Sequence, residues 1–285
     1  MGQLKSYLSL VKFSHTIFAL PFALIGFFWA VRLNHTEFHL FTLALVILDM
    51  LWARNAAMAF NRYIDREIDA KNERTIVRDI PAGKINANSA LIFVIINSLL
   101  FLITTFFINL TTFFLAPIAL FVILGYSYTK RFTSLCHLVL GVGLALAPIG
   151  AYLSVTGVFD KLPILLSFTV LFWVSGFDII YALQDEEFDK SQKLNSIPVL
   201  LGKKNALYLS SILHFIAFLL LISIGLLAHF GLYYWIGASL FSLLLFYQHS
   251  LVKFDDLSRV NLAFFTTNGI GSVVFSVFSI LEVFL

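Results

Sequence analysis

The sequence contains, at residues 38–69, the stretch FHLFTLALVILDMLWARNAAMAFNRYIDREID. Its first part, residues 38–60, is long and apolar enough to cross a bilayer as a helix, because about 20 apolar residues span the hydrocarbon core. Its end carries Asn61, Asp65 and Asp69 at intervals of four residues. A helix turns about 100° per residue, so these three side chains are predicted to share one face. Acidic groups next to a bilayer are costly and require a counter-charge.

A second stretch repeats this arrangement at residues 178–189, which read DIIYALQDEEFD. Asp178, Tyr181, Asp185 and Asp189 fall within an arc of about 80° if the helix is continuous. Each of two helices is therefore predicted to present a line of oxygen ligands near the same end. A single pair of carboxylates at this spacing is common on solvated helix ends, but two such lines in a charge-poor chain favour a binding site.

The composition predicts an all-α integral membrane protein. The chain has 285 residues, of which 60% are hydrophobic and 12% charged, and its mean hydropathy is +0.92. Soluble domains carry about 25% charged residues. The single cysteine, Cys136, excludes an internal disulfide and a cysteine-only metal site. We expect no cleavable signal peptide, because the first apolar segment has no small-residue cleavage site and continues into the body of the chain.

Nine apolar segments are candidates for membrane spans. We treat residues 1–285 as a single domain. The similar motifs and spacing suggest an internal duplication of four-helix units at 14–128 and 135–251, with 262–284 as an added ninth helix. The predicted spans are 14–32, 38–60, 87–109, 111–128, 135–156, 163–184, 206–227, 231–251 and 262–284.

Lysine and arginine give the expected orientation. With nine spans in order, only Arg32 and Lys161 of the 19 Lys and Arg residues fall on one side of the membrane. Basic residues concentrate in cytoplasmic loops. This predicts a multi-pass protein, of a bacterial inner membrane, with the N-terminus and the polar loops 61–86 and 185–205 in the cytoplasm and the C-terminus outside.

The residue types of the two motifs fit divalent cations and a diphosphate. Mg²⁺ takes oxygen ligands and is usually held by one or two carboxylates together with substrate phosphates. Basic side chains near the motifs would complete an anion site, although each alone is more typical of a topology marker. Arg54 differs, because it lies inside an apolar segment, two turns before Asn61 on the same face. The other candidates are Arg74, Arg78, Lys84, Lys130 and Arg131.

Two further residues and several absent motifs bear on function. Asp178 lies inside the sixth apolar segment, one turn deeper than the expected ions. His15 opens the first segment and is more typical of an interfacial histidine than of a ligand. The sequence has no GxSxG, P-loop or strand-linked GxGxxG motif, so hydrolase and nucleotide-binding functions have no support.

Two other classes of membrane protein contain similar charged residues. An ion-coupled transporter would also contain intramembrane charges, but transporters bind substrate near the bilayer midplane, whereas these acids lie at one edge. A CDP-alcohol phosphotransferase would require one acidic motif with a DG…AR lead-in, which is absent. Magnesium-dependent release of diphosphate from an allylic substrate discriminates an enzyme of this kind from a transporter.

At these residues the chain resembles the UbiA superfamily of intramembrane prenyltransferases. The resemblance covers most of the chain, and within the superfamily it is greatest to the 4-hydroxybenzoate polyprenyltransferase branch, including relatives in menaquinone synthesis. Asp79 departs from the pattern, because that loop commonly has proline there. The motifs that carry the resemblance are NxxxDxxxD at 61–69, DxxYxxxDxxxD at 178–189, RTxxR…PxG at 74–83 and YxxxKR at 126–131.

The resemblance implies nine transmembrane helices around a central cavity, open to lipid and capped by the two cytoplasmic loops. It implies Mg²⁺-dependent transfer of a chain from polyprenyl diphosphate to a phenolic acceptor, for ubiquinone or menaquinone synthesis, and no nucleic-acid partner. The acceptor and the prenyl length stay open. The expected catalytic residues are Asp178, Tyr126, Tyr181 and Lys130. The expected diphosphate ligands are Arg54, Arg78, Lys130 and Arg131, and the expected metal ligands are Asn61, Asp65, Asp69, Asp185 and Asp189.

Overall fold

The computed structural model describes the backbone of residues 2–285 and the side chains of residues 6–12 and 16–285. The side chain of His15 therefore lies outside the described residues. The described chain is helical. Its helices are α1 (Gly2–Leu10), α2 (Leu20–Leu33), α3 (Leu40–Ile64), α4 (Arg66–Asp69), α5 (Ala87–Ile108), α6 (Leu110–Thr129), α7 (Cys136–Thr156), α8 (Lys161–Ala182), α9 (Glu186–Ser191), α10 (Ile197–Leu227), α11 (Leu232–Leu251) and α12 (Asn268–Phe284).

Within the described residues, eight segments are long and apolar enough to cross a membrane. The prediction of an all-helical, multi-span membrane protein is confirmed. The predicted span 231–251 forms α11 but is not among the eight. Tyr233, Tyr234, Gln248 and His249 lower its hydropathy. The eight segments are Thr16–Leu33, Leu40–Ile64, Ala87–Ile108, Leu110–Thr129, Cys136–Thr156, Lys161–Ser191, Ile197–Leu227 and Leu262–Phe284.

Short polar residues set several helix ends. Asn109 alone separates α5 from α6, and its side chain accepts a hydrogen bond from the backbone N–H of Thr112 at 2.9 Å. Helices α5 and α6 therefore form a tight hairpin. Ser196 caps α10 in the same way, through the N–H of Val199. Asparagine and serine are favoured at these positions because their side-chain oxygens satisfy N–H groups that have no partner within the helix.

Helix α10 begins earlier than the sequence predicts. The predicted span starts at 206, whereas the helix starts at Ile197 and contains a kink at Gly202, where φ is +76°. Glycine occupies this backbone conformation without the steric cost that a side chain would bring. The polar residues after the kink therefore belong to the helix and not to the loop 185–205.

An aromatic core surrounds α8. Helix α8 packs between α7 and α10, and Trp173 at its centre is fully buried against Phe22, Phe241 and Phe177. The Trp173 indole N–H donates to Asn268 Oδ1 at 2.7 Å. Burying the aromatic surface stabilises α8, and the hydrogen bond fixes its rotation. Helix α8 thereby positions the start of the second acidic motif, while α3, packed on α5, positions the start of the first.

Candidate functional site

The first acidic motif lies across the junction of α3 and α4. Helix α3 ends at Ile64, and Asp65 has φ of −88° and ψ of 1°. The Asp65 N–H still donates to the Asn61 carbonyl at 2.9 Å, and the Asp69 N–H donates to the Asp65 carbonyl at 2.7 Å. These bonds have helical spacing, so Asn61, Asp65 and Asp69 keep nearly the arrangement predicted from the sequence.

The second motif departs further from a continuous helix. Helix α8 ends at Ala182, a 3₁₀ turn covers Leu183–Asp185, and α9 begins at Glu186. The Leu183 N–H donates to the Ile180 carbonyl, which is the tighter three-residue bond. A 3₁₀ turn has three residues per turn, so Asp185 and Asp189 are rotated relative to Asp178. The prediction of one unbroken face is wrong for this half of the motif.

Asp65 is buried between two basic side chains. One of its carboxylate oxygens lies 2.6 Å from Lys130 Nζ and the other accepts from Arg131 at 3.0 Å. Asn61 donates to the same carboxylate at 3.3 Å. Arg131 also donates to the Ile64 carbonyl, which fixes the end of α6 to the end of α3. Lys130 and Arg131 therefore contact the first motif directly, and the catalytic and diphosphate-binding roles predicted for them stay predictions.

Asp69 is buried and has an unused oxygen. Its Oδ1 accepts from Arg78 at 2.7 Å, and its carbonyl accepts from the Thr75 hydroxyl at 3.0 Å. Its Oδ2 is buried without a hydrogen-bond partner. A buried carboxylate oxygen without a partner costs free energy, so this atom is available to a cation.

Arg74 connects the loop after the first motif to the second motif. Its guanidinium pairs with both carboxylate oxygens of Asp185 and donates to the Tyr181 hydroxyl at 2.8 Å. Asn72 adds a bond to Asp185 at 3.2 Å. Tyr181 in turn packs against Phe264, with ring centroids 4.2 Å apart and the ring planes tilted by 32°. The two motifs, distant in sequence, therefore meet through this loop.

Lys130 joins the two motifs from the other direction. It contacts Asp65 directly and interacts electrostatically with Asp189, which also interacts electrostatically with Asp185. The Lys130 carbonyl accepts from the backbone N–H of Asn195 at 2.7 Å. The end of α6 is thus fixed between α3 and the segment that leads into α10.

Two of the predicted site residues, Arg54 and Tyr126, make no hydrogen bond to the acidic motifs in the described structure. Arg54 donates to the carbonyls of Val11 and Lys12, at 2.8 and 2.9 Å, and so fixes the N-terminal segment. Tyr126 lies within electrostatic range of Asp65 and Asp178. The diphosphate role predicted for Arg54 stays a prediction.

Two further basic residues, Arg62 and Lys12, lie near the first motif. Arg62 interacts electrostatically with Arg78, Asp69 and Asp65. Partial desolvation and the charges of Arg62 and Arg78 lower the pKa of Lys12. Crowded like charges favour binding of an anion. In the sequence, only its position next to Asn61 connects Arg62 with the site. No sequence pattern connects Lys12 with the site, because the fold of the N-terminal segment brings this residue there.

Asp178 is paired with a histidine that no local sequence pattern indicates. His137 Nδ1 lies 2.6 Å from Asp178 Oδ2, and His137 Nε2 accepts the backbone N–H of Ile197 at 3.3 Å. His137 is 3% exposed. The two residues are 41 positions apart, on α7 and α8, so no local spacing announces the pair.

The side chains fit Mg²⁺ bound together with a phosphate group. The donors are carboxylate and amide oxygens, which hard divalent cations prefer, and Asp69 Oδ2 is free to ligate. Among the described residues, no three His, Cys, Asp or Glu side chains converge on a point that would hold an ion by themselves. Magnesium is commonly bound by one or two carboxylates plus phosphate oxygens, and this donor set has that character.

Two cavities lie away from these residues. One, of about 530 Å³, is lined by Phe28, Arg32, His35 and Phe284 at the opposite end of the molecule. The other, of about 110 Å³, lies between α10 and α11 beside His214 and His249. Neither includes a residue of the acidic motifs, so the central cavity implied by the family resemblance is not among them.

Several 4-hydroxybenzoate octaprenyltransferases are similar to this chain over most of its length. A 4-hydroxybenzoate octaprenyltransferase from Tolumonas auensis is 29% identical over 249 residues, which is 87% of this chain and 87% of that protein. One from Pseudoalteromonas translucida is 28% identical over 255 residues, or 87% of this chain and 85% of that protein.

Solved structures and the family sequence model agree with this resemblance. A UbiA homologue from Aeropyrum pernix is 30% identical, with a TM-score of 0.85 over 94% of this chain and 98% of that one. A UbiA homologue from Archaeoglobus fulgidus bound to GPP and Mg²⁺ is 23% identical, with a TM-score of 0.77 over 98% of this chain and 100% of that one; it supports the fold. The UbiA prenyltransferase family model matches residues 19–270. The chain therefore belongs to the UbiA prenyltransferase family.

Proposed function

We propose that this prenyltransferase moves a polyprenyl chain from polyprenyl diphosphate to a hydroxylated aromatic acid of the 4-hydroxybenzoate or dihydroxynaphthoate type, in quinone biosynthesis. The observation that carries the proposal is the joining of two acidic motifs by basic side chains. Asp65, Asp69 and Asp185 each pair with Lys or Arg. Such a site offers both signs of charge, which a magnesium diphosphate requires. The names of the relatives favour 4-hydroxybenzoate as the acceptor.

The diphosphate end of the site contains the metal ligands and the basic residues. We assign Mg²⁺ to Asn61, Asp65, Asp69, Asp185 and Asp189; bound there, it would neutralise the diphosphate and make it a better leaving group. Arg78, Lys130 and Arg131 now bond to carboxylates, and each has N–H groups to bind phosphate oxygens when the carboxylates ligate the metal. Arg54 keeps the N-terminal segment, and with it Lys12, at the edge of this cluster.

The acceptor end lies one turn deeper on α8. There the allylic C–O bond breaks, a ring carbon of the phenol forms the new C–C bond, and the ring proton leaves to Asp178 or to an oxygen of the released diphosphate. Tyr181, held by Arg74 and Phe264, and Tyr126 flank this region. Apolar side chains around the bond exclude water, which would otherwise capture the allylic cation.

The finer architecture is part of the same proposal. We place α11 as a ninth span, because its 20 residues are long enough to cross the bilayer. The loops 61–86 and 185–205 then lie on the cytoplasmic side and cover the site. The prenyl tail extends along apolar helix faces toward lipid, and the chain forms one domain of two four-helix units with α12 added.

The test uses purified protein in lipid nanodiscs with one allylic diphosphate and a panel of phenolic acids. We expect diphosphate release that requires Mg²⁺ and a product whose mass equals acceptor plus prenyl chain minus one hydrogen. The largest turnover is expected with 4-hydroxybenzoate. A protein that released no diphosphate with any acceptor would contradict the proposal and favour a transporter. Turnover with another phenol alone would keep the enzyme class and change the acceptor.

A further inference from the structure

We propose that His137 is a positioning residue, which holds the Asp178 carboxylate in the orientation that receives the hydroxyl of the phenolic acceptor. This inference rests on the proposed prenyl transfer and assigns one more residue to its acceptor end. It starts from the 2.6 Å contact between His137 Nδ1 and Asp178 Oδ2.

The hydrogen bonds of His137 fix which nitrogen carries the proton. Nε2 accepts the backbone N–H of Ile197 at 3.3 Å, so we assign the ring proton to Nδ1, where it is donated to Asp178. The ring is buried, and its backbone is held as well, because the Ser175 hydroxyl donates to the His137 carbonyl at 3.2 Å. A side chain with both nitrogens bonded and its ring enclosed has little freedom to rotate.

The Asp178 carboxylate is therefore fixed at one oxygen and open at the other. Its side chain is 23% exposed, although it lies in an apolar helix. In the described structure Oδ2 bonds to His137, and Oδ1 is not among the buried oxygens that lack a partner. Oδ1 is thus accessible and oriented, as an acceptor for a phenol O–H must be. Tyr126 interacts electrostatically with Asp178.

A purely structural role for His137 is the competing explanation. Ile197 begins α10, and the first N–H groups of a helix have no partner within it. His137 Nε2 satisfies one of them, so the residue would serve only to cap α10. The two explanations use different nitrogens of one ring and can be separated by substitution.

Substituting His137 by asparagine or by glutamine separates its bond to Asp178 from its bond to Ile197. The amide of Asn lies at the position of Nδ1, so His137→Asn retains a donor toward Asp178 and loses the bond to Ile197. The amide of Gln reaches the position of Nε2, so His137→Gln retains an acceptor for Ile197 and loses the donor to Asp178. The two variants are otherwise closely matched in polarity and size.

The experiment measures prenyl transfer against acceptor concentration at saturating prenyl diphosphate and Mg²⁺, together with thermal unfolding. We expect His137→Asn to retain kcat/KM for the acceptor within about 3-fold and His137→Gln to lose on the order of 10- to 100-fold, because small misplacements of a reacting group have effects of this size. KM for the prenyl diphosphate is expected to stay unchanged in both.

The inference is overturned if His137→Gln matches the wild type, or if His137→Asn is impaired as much as His137→Gln. Should His137→Gln fail to fold, His137→Met replaces it; this side chain is similar in size but has no N–H donor, so we expect the loss assigned to Gln, and wild-type turnover would overturn the inference. A wild-type protein without transfer to any phenol contradicts the proposed function instead, so the two failures are distinguishable.

Discussion

At the scale of single residues, Asp65 tests whether the paired carboxylates serve chemistry. Asp65→Asn keeps the shape of the side chain but removes the charge that Lys130 and Arg131 contact. We expect turnover to fall by at least about 100-fold, because several kcal/mol of charge stabilisation are lost and each 1.4 kcal/mol is tenfold in rate. Steady-state diphosphate release at saturating Mg²⁺ measures this. The matched control is Glu67→Gln, whose side chain is 81% exposed; an Asp65 variant within about 3-fold of this control contradicts the assignment.

Asp69 gives a second prediction at this scale, with a readout other than activity. Its unused Oδ2 is expected to ligate Mg²⁺ when pyrophosphate is present. A ligand that binds only the folded state raises its stability in proportion to RT ln(1 + [L]/Kd). Mg²⁺ with pyrophosphate should therefore raise the thermal unfolding temperature of the wild type, and of an Asp160→Asn control, but not of Asp69→Asn. An equal rise in all three proteins would remove Asp69 from the metal site.

Some residues of the site could be predicted from the sequence, and others could not. Asn61, Asp65 and Asp69 could be predicted as one group, because helical period places them together. Lys130 and Arg131 followed from their motif and from the resemblance. His137 and Lys12 could not be predicted, because their contacts depend on how helices pack across the chain, and a lone histidine or lysine has no periodic signal.

At the scale of elements, Arg74 and Asn72 fix the loop from Ala70 to Asn86 to the second motif. Arg74→Gln removes the pairing with Asp185 and the bond to Tyr181. Amide hydrogens exchange faster where local opening costs less free energy. We expect faster exchange across residues 70–86, measured by mass spectrometry, and unchanged exchange in Arg66→Gln, whose partner Glu67 is exposed. Unchanged exchange in Arg74→Gln would mean that other contacts hold the loop.

The element boundaries explain which predictions about helices succeeded. Eight apolar segments were recognisable, because apolar composition over about 20 residues is a direct signal of a span. The 3₁₀ turn at Leu183–Asp185 and the kink at Gly202 were not predicted. Both are changes of backbone bonding within a segment whose residue pattern still resembles a helix, so periodicity alone does not reveal them.

At the scale of the whole molecule, the charge distribution predicts the orientation of the site. Only Arg32 and Lys161, of the 19 Lys and Arg residues, lie at the end opposite the acidic motifs if α11 crosses the membrane. Basic loops stay in the cytoplasm. The site is thus expected to face the cytoplasm, while the loop that begins at Asn34 faces outward.

Cysteine labelling measures this orientation. Cys136 is the single native cysteine, so Cys136→Ser gives a background without thiols. Glu37→Cys and Glu187→Cys then place one thiol at each end, both at exposed positions. A membrane-impermeant maleimide should label the Glu37→Cys protein in intact cells and the Glu187→Cys protein only after the membrane is opened. The reverse pattern would place the acidic motifs outside, and labelling of both in intact cells would mean that α11 or another helix does not cross as predicted.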